Sequence, residues 1–226
     1  MKNSIANKFN LILLGALILV GSCAKNDPPV DKQQKPLFPL SIGNNWSYVE
    51  TFYDGDYTDS QTDQLNVLGS YTIDGITGFA LNEYKKGYPI SLLENDKEGN
   101  LVEHFFNNDK LVHTTILFKK NVKKGDSWAY KDVVYSDSTH SSAYNIEDVI
   151  VTCVTTDTII TVPKGDFHCI GFSYDEGKQS NGDPENTIFY FLSENIGLVK
   201  YILYEHADGM TYYSYDRVLT NYTLKN

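Results

Sequence analysis

Beyond the first twenty-odd residues, no stretch of about twelve residues carries apolar side chains at the 3.6-residue spacing of a packed helix. The chain instead runs through short segments of period-two alternation, each stopped by Gly, Asn or Asp. Trp46-Ser47-Tyr48-Val49-Glu50-Thr51-Phe52-Tyr53 is the clearest segment, and Asp54-Gly55-Asp56 ends it as a turn. Further strands are predicted at 64–73, 77–84, 90–94, 101–106 and 110–118. A second group is predicted at 128–135, 149–155, 158–162, 167–174, 188–192, 198–205 and 211–219. Seventeen Tyr and eleven Phe suit strands, which favour aromatic and β-branched residues. The expected fold is all-β: a long-stranded antiparallel meander joined by hairpins, curled into a half-barrel or folded into a sandwich, in one domain over residues 39–226.

Two passages echo each other. Gly43-Asn44-Asn45-Trp46-Ser47-Tyr48 returns as Gly125-Asp126-Ser127-Trp128-Ala129-Tyr130, and these hold the chain's two tryptophans. Tyr53 and Tyr135 keep the same offset. Later, Leu93-Glu94-Asn95 before Gly99-Asn100-Leu101-Val102 is matched by Leu192-Ser193-Glu194-Asn195 before Gly197-Leu198-Val199. Echoes in the same order predict an internal duplication, with repeats at about 43–119 and 125–224.

The N-terminus reads as an address. Lys2 and Lys8 precede Leu11 to Val20, a run apolar except for Gly15. Its length suits a secretory signal and falls short of the roughly 20 residues a membrane-spanning helix needs. The run ends in Leu19-Val20-Gly21-Ser22-Cys23, which resembles the lipobox of bacterial lipoproteins. That resemblance implies a signal peptide over residues 1–22 and a fatty-acylated Cys23. Each buried CH₂ contributes about 0.8 kcal/mol, so two or more acyl chains such as palmitate anchor a protein stably. Ala24 after the cysteine, by resemblance to Gram-negative sorting, favours the outer membrane. Lys25-Asn26-Asp27 vaguely resembles a surface-export tract, and the periplasmic and external faces both stay open. Residues 23–38, with Pro28, Pro29 and Pro36, are expected to form an extended tether reaching up to roughly 45 Å.

Loss of Lys2 and Lys8 with the leader would take the formal charge from −10 to −12. Such a chain repels nucleic acid and anionic headgroups, leaving the lipid anchor as its link to a membrane. Pro39-Leu40 leading to Gly43 and Trp46, then Val162-Pro163-Lys164-Gly165-Asp166-Phe167-His168-Cys169, then Gly197-Leu198-Val199-Lys200-Tyr201, resembles a group of uncharacterised bacterial envelope lipoproteins. The resemblance implies an envelope location and no particular activity.

Few residues point to chemistry. His104, His113, His140, His168 and His206 stand singly, with no His-Glu-x-x-His spacing, and neither a metal nor a cofactor is expected. No Gly-x-Ser-x-Gly elbow occurs, and the chain does not read as an enzyme. His168 and Cys169 are adjacent, so on a strand they point to opposite faces. Cys153 and Cys169 would form a disulfide in an exported protein if their Cα atoms lay roughly 4.4–6.8 Å apart. Asp54, Asp56 and Asp59, and likewise Asp175, Asp183 and Glu185, offer oxygen ligands for Ca²⁺ but read better as solvated turns. Tyr201, Tyr204, Tyr213 and Tyr215, with Tyr212 and Tyr222 nearby, form the best candidate ligand surface, since a phenol joins an apolar ring to a polar tip. Cross-strand packing is the plainer account of them.

The expected function is a non-enzymatic binding or interaction module, its protein or glycan partner open. One alternative is a lipid or lipoprotein carrier, which needs an apolar cavity of several hundred Å³. Another is glycan capture, which would leave Trp46 or Trp128 exposed. Replacing Cys23 with Ser should release the protein from the membrane fraction and change its gel mobility. Unchanged fractionation and mobility would remove the anchor.

Overall fold

The computed structural model describes residues 35–81, 89–135, 144–177, 184–207 and 209–225. The chain divides into Met1–Gln33 and Gln34–Asn226. Cys23, the leader and most of the predicted tether lie outside the described residues.

Twelve strands follow one another: β1 (Asn45–Asp54), β2 (Tyr57–Ile73), β3 (Ile76–Leu81), β4 (Ile90–Asn95), β5 (Leu101–Asn107), β6 (Lys110–Phe118), β7 (Ser127–Tyr135), β8 (Tyr144–Val162), β9 (Gly165–Glu176), β10 (Asn186–Ser193), β11 (Gly197–Ala207) and β12 (Met210–Thr223). They form one antiparallel sheet in the order β6-β5-β4-β3-β2-β1-β12-β11-β10-β9-β8-β7. No helix occurs among the described residues. The fold is therefore all-β, as the alternation predicts. Two six-stranded meanders, β1–β6 and β7–β12, meet where β1 pairs with β12.

Alternation explains how the sheet buries one face. On β1, Trp46, Tyr48 and Glu50 are buried while Ser47, Val49 and Thr51 between them are half-buried. Strand β2 is 17 residues long. Its first ten residues pair with β1 and its last seven with β3, so one strand carries the chain from one half of the sheet into the other. The first part of β2 is polar and exposed, which is why alternation predicts this strand only from residue 64. Strand β8, 19 residues long, joins two predicted strands, since register shifts around Thr155 absorb the polar Thr-Thr-Asp stretch.

The inner faces of both halves bend toward each other. Phe118 at the end of β6 meets Phe172 on β9 and Tyr190 on β10, each with ring centroids 5.1 Å apart. The two outermost strands also touch: the Trp128 indole N–H donates to the Ile116 carbonyl (2.9 Å), and the Lys131 backbone N–H donates to Thr115 Oγ1 (3.1 Å). The result is a half-barrel whose edges approach at one end.

Leu37 and Phe38, at the foot of the predicted tether, are instead core residues, 0% and 5% exposed. They lie between the two echoed hairpins. The Asn195 N–H donates to the Pro36 carbonyl (2.7 Å), and Asn95 Nδ2 donates to the Phe38 carbonyl (2.9 Å). The Phe38 ring lies 4.7 Å from Trp46 and covers Gly197, where a Cβ would stand 2.8 Å from the ring. The folded core thus includes residues 37 and 38, a residue or two before the predicted boundary, because this pair fills the space between the hairpins.

The two tryptophan turns share their hydrogen bonds. Gly43 donates to Val67 O, Val67 to Asn44 O, and Asn44 to Ser41 O, each at 2.9 Å. Gly125 donates to Cys153 O (2.7 Å), Cys153 to Asp126 O (2.8 Å), and Asp126 to Lys123 O (3.0 Å). Both glycines take positive φ, 88° and 91°, which explains why Gly recurs there. The other echoed pair forms the β4–β5 and β10–β11 turns. These correspondences support the proposal that the two meanders descend from one ribbon.

Phe38→Ala should destabilise the fold by about 3–5 kcal/mol through the cavity it leaves. Urea unfolding measures this, and a loss below about 1 kcal/mol would show that the segment adds little.

Candidate functional site

Register places a row of aromatic rings along the concave face. Tyr130 (β7), Tyr174 (β9), Tyr190 (β10), Tyr201 (β11), Tyr215 (β12) and Phe52 (β1) follow one another across the sheet. Successive ring centroids lie 5.6, 5.8, 5.0, 5.4 and 4.8 Å apart. Most of these contacts are edge-to-face, the arrangement that ring quadrupoles favour. Burial pushes the Tyr201 phenol up to about 12, helped by the nearby Glu176 charge, and burial raises Tyr190 and Tyr215 as well. All three are therefore neutral hydroxyls at physiological pH.

The end of this row lines a cleft of about 600 Å³ between β1 and β10–β12. Phe52, Tyr190, Tyr201, Leu203 and Tyr215 supply its apolar surface, and Glu50, Glu205, Ser214 and Arg217 its polar groups. Phe52 is 44% exposed and Glu205 is also exposed, so the cleft opens to solvent.

Its floor is an ion pair. Glu50 is 5% exposed and accepts from Arg217 Nε (2.7 Å), Arg217 Nη2 and Gln61 Nε2 (2.8 Å). Arg217 Nη2 also lies 3.3 Å from Asp63 Oδ2, and its guanidinium stands 5.6 Å from the centre of the Tyr48 ring. The Tyr48 hydroxyl donates to the Leu198 carbonyl (3.1 Å), fixing that ring beneath the guanidinium. Burial pushes Glu50 up, but hydrogen bonds from Tyr215, Gln61 and Arg217, with the Arg217 charge, outweigh it and hold the carboxyl below its usual value. The paired strands β1 and β12 make this possible, since Glu50 is directly opposite Arg217 in their register.

The four candidate tyrosines do not share a surface. A register shift in the β11–β12 pair leaves Ser214 without an opposite residue, and Ser214 Oγ donates to the Leu203 carbonyl (3.3 Å). The extra residue turns Tyr213 and Tyr215 to opposite faces. Tyr201 and Tyr215 lie in the cleft, with centroids 5.4 Å apart. Tyr204 and Tyr213 pair on the convex face at 5.3 Å, where Tyr213 donates to Asp216 Oδ2 (2.7 Å). A shallower groove of about 420 Å³ lies beside them, lined by Phe189, Phe191, Ile202 and Tyr204.

The remaining candidates are scattered. Trp46 is fully buried with its indole N–H on the Ile196 carbonyl (2.6 Å), and Trp128 is half-buried against Phe172. Cys153 and Cys169 are buried free thiols and form no bridge. Cys153 is opposite Phe172, three residues along β9 from Cys169, roughly 10 Å away and outside disulfide range. Cys153 takes the place that Val67 takes in the first tryptophan turn, acting as a small apolar side chain. His168 is exposed and pairs with Asp157 (2.8 Å), while Cys169 points inward. Asp54, Asp56 and Asp59 sit exposed around the β1–β2 turn, and Asp175 accepts from Thr187. No group of three or more His, Cys, Asp or Glu side chains among the described residues is placed to hold a metal. His140 and Asp183 lie outside the described residues.

Glu50 and Arg217 escaped the sequence reading because 167 residues separate them. A signal was present: Arg217 is the only arginine in the chain. Arginine at one position among many lysines marks a place where a planar, two-pronged donor is needed.

No protein-family profile matches the sequence, and no curated protein matches it either. Two solved structures are similar to it. One is a protein provisionally named as a lipoprotein from Parabacteroides distasonis, 16% identical, with a TM-score of 0.45 over 84% of this chain and 99% of its own. The other is a provisionally named exported protein with a YmcC-like fold from Bacteroides fragilis, 14% identical, with a TM-score of 0.39 over 83% of this chain and 98% of its own.

Arg217→Met should cost about 3 kcal/mol at pH 7, because it strands the buried Glu50 charge. In the native chain the depressed Glu50 carboxyl adds stability above its unfolded value of about 4.3, and that stability is lost as pH falls through the folded value. Without the guanidinium, burial should raise the carboxyl, so the variant's deficit should shrink on acidification toward pH 4. Urea unfolding at pH 7 and pH 4.5 checks this, and a deficit that does not change with pH would contradict it.

Proposed function

We propose that this chain is a cell-envelope lipoprotein, moored to the outer membrane through an acylated Cys23, that acts as a non-enzymatic binding module. Its ligand lies in the concave cleft. The observation that carries the reading is the cleft itself: an aromatic-lined opening of about 600 Å³ above a buried Glu50 engaged by the half-buried Arg217. Binding sites of this size commonly join an apolar lining to a few fixed polar groups.

A binding role fits this pair better than catalysis. A general acid or base needs a proton it can give or take near neutral pH. Glu50 is held ionised by three neighbours, and the guanidinium beside it does not titrate. The lipid-carrier reading has the volume it asks for, but Glu205, Ser214 and the tyrosine hydroxyls interrupt the lining. An acyl chain would strip water from these groups without replacing their hydrogen bonds. Glycan capture on a tryptophan platform loses its surface, since Trp46 is buried and the Trp128 indole is bonded to Ile116. The aromatic surface open to a ligand is made of tyrosine and phenylalanine.

The test is a thermal-shift screen of the full chain in a zwitterionic detergent without sugar headgroups. A ligand of the cleft, at a hundred times its Kd, should raise Tm by about 5–10 °C. The same compound should leave the Tm of a folded Tyr215→Ala variant unmoved. Compounds that shift both proteins equally would place binding elsewhere and defeat the reading.

A further inference from the structure

We infer that the ligand of this cleft is an uncharged glycan, a conclusion that rests on the cleft being the binding site. Three features of the lining point to that class.

The first is charge. Arg217, the one cation lining the cleft among the described residues, already serves Glu50, Asp63 and Tyr215, and Glu205 adds an acid at the rim. An anionic ligand would meet this acidic rim and would have to draw the guanidinium from two carboxylates. A cationic ligand gains little from Glu50, whose charge Arg217, Gln61 and Tyr215 already engage. A neutral ligand leaves the floor as it is.

The second is the direction of the hydrogen bonds. Tyr215 gives its proton to the Glu50 carboxylate and accepts from the Arg217 guanidinium, so its hydroxyl is engaged on both sides and it offers the ligand its ring. Ser214, by contrast, gives its proton to the Leu203 carbonyl and keeps acceptor capacity. The Glu205 carboxylate is acceptor-only. The wall therefore offers acceptors and asks for a ligand rich in neutral O–H donors.

The third is shape. The rings of Phe52, Tyr215 and Tyr201 meet at tilted and edge-to-face angles of 53° and 75°, presenting alternating faces and edges along the opening. Such a corrugated surface suits a saccharide, whose rings carry patches of C–H beside their hydroxyls.

The experiment is isothermal titration of the full chain in sugar-free zwitterionic detergent. The probes are maltotetraose, cellotetraose and chitotetraose as uncharged glycans, with tetragalacturonate, tetramethylammonium and palmitate as the other classes. At least one uncharged tetrasaccharide should bind. Tyr201→Ala should weaken it about tenfold or more, and Tyr204→Ala, on the convex face, should leave it unchanged. If Tyr201→Ala fails to fold, Glu205→Gln at the exposed rim should still weaken binding severalfold. Binding only of tetragalacturonate, tetramethylammonium or palmitate, abolished by Tyr201→Ala, would overturn the glycan assignment and keep the cleft as a site. Glycan binding lost in Tyr204→Ala and retained in Tyr201→Ala would overturn both. No binding by any probe would overturn the glycan assignment, and the thermal-shift screen then decides the cleft.

Discussion

A single sheet has no second layer against which to bury its inner face, so this fold depends on what fills the space between its two halves. Leu37 and Phe38 do so. They sit between the β4–β5 and β10–β11 hairpins, bonded through Pro36 to one and through Phe38 to the other. With Trp46, Leu192, Leu198 and Leu219 they form one continuous apolar cluster. Full burial of side chains of this size contributes roughly 1.5–3 kcal/mol each. Without the pair, the residues they cover, Trp46 and Gly197 among them, would lose that packing.

The cleft is a consequence of that arrangement. Trp46 and Tyr48 at the start of β1 are fully buried, whereas Phe52 near its end is 44% exposed. Six residues of extended chain put Phe52 roughly 20 Å beyond Trp46. There β1 and β12 stay paired through Phe52 and Tyr215, but the inner face lies open to solvent. What lines it there is the part of the aromatic row that has no opposing layer, together with a buried carboxylate and the chain's one arginine. The same strands serve as wall at one end and as binding surface at the other, with Tyr48 and Glu50 as successive inward positions marking the change.

Much of this was legible in the sequence, and what was not has a physical reason. Period-two alternation and Gly-Asn turns reveal strands because both are local. The polar beginning of β2 was hidden because that stretch pairs beyond the core and buries nothing. Leu37 and Phe38 looked like the end of a Pro-rich tether because their partners, Asn95 and Asn195, lie 57 or more residues away. The tyrosine cluster showed correctly as a concentration of rings but not as two faces. One extra residue at Ser214 reverses the alternation, and a bulge leaves no trace in composition or period.

The position of that bulge matters for recognition. With a regular β12, Tyr213 and Tyr215 would both project into the cleft and crowd Phe52 and Tyr201. Moving Tyr213 outward, where Tyr53 (5.0 Å) and Asp216 receive it, leaves a single phenol beside Glu50 and keeps the cleft open. The Ser214 hydroxyl, bonded to Leu203 O, holds the irregularity in place. A site on a sheet normally inherits the flat spacing of its strands. Here one inserted residue decides which tyrosine faces the cleft, on strands otherwise held rigid by pairing on both sides.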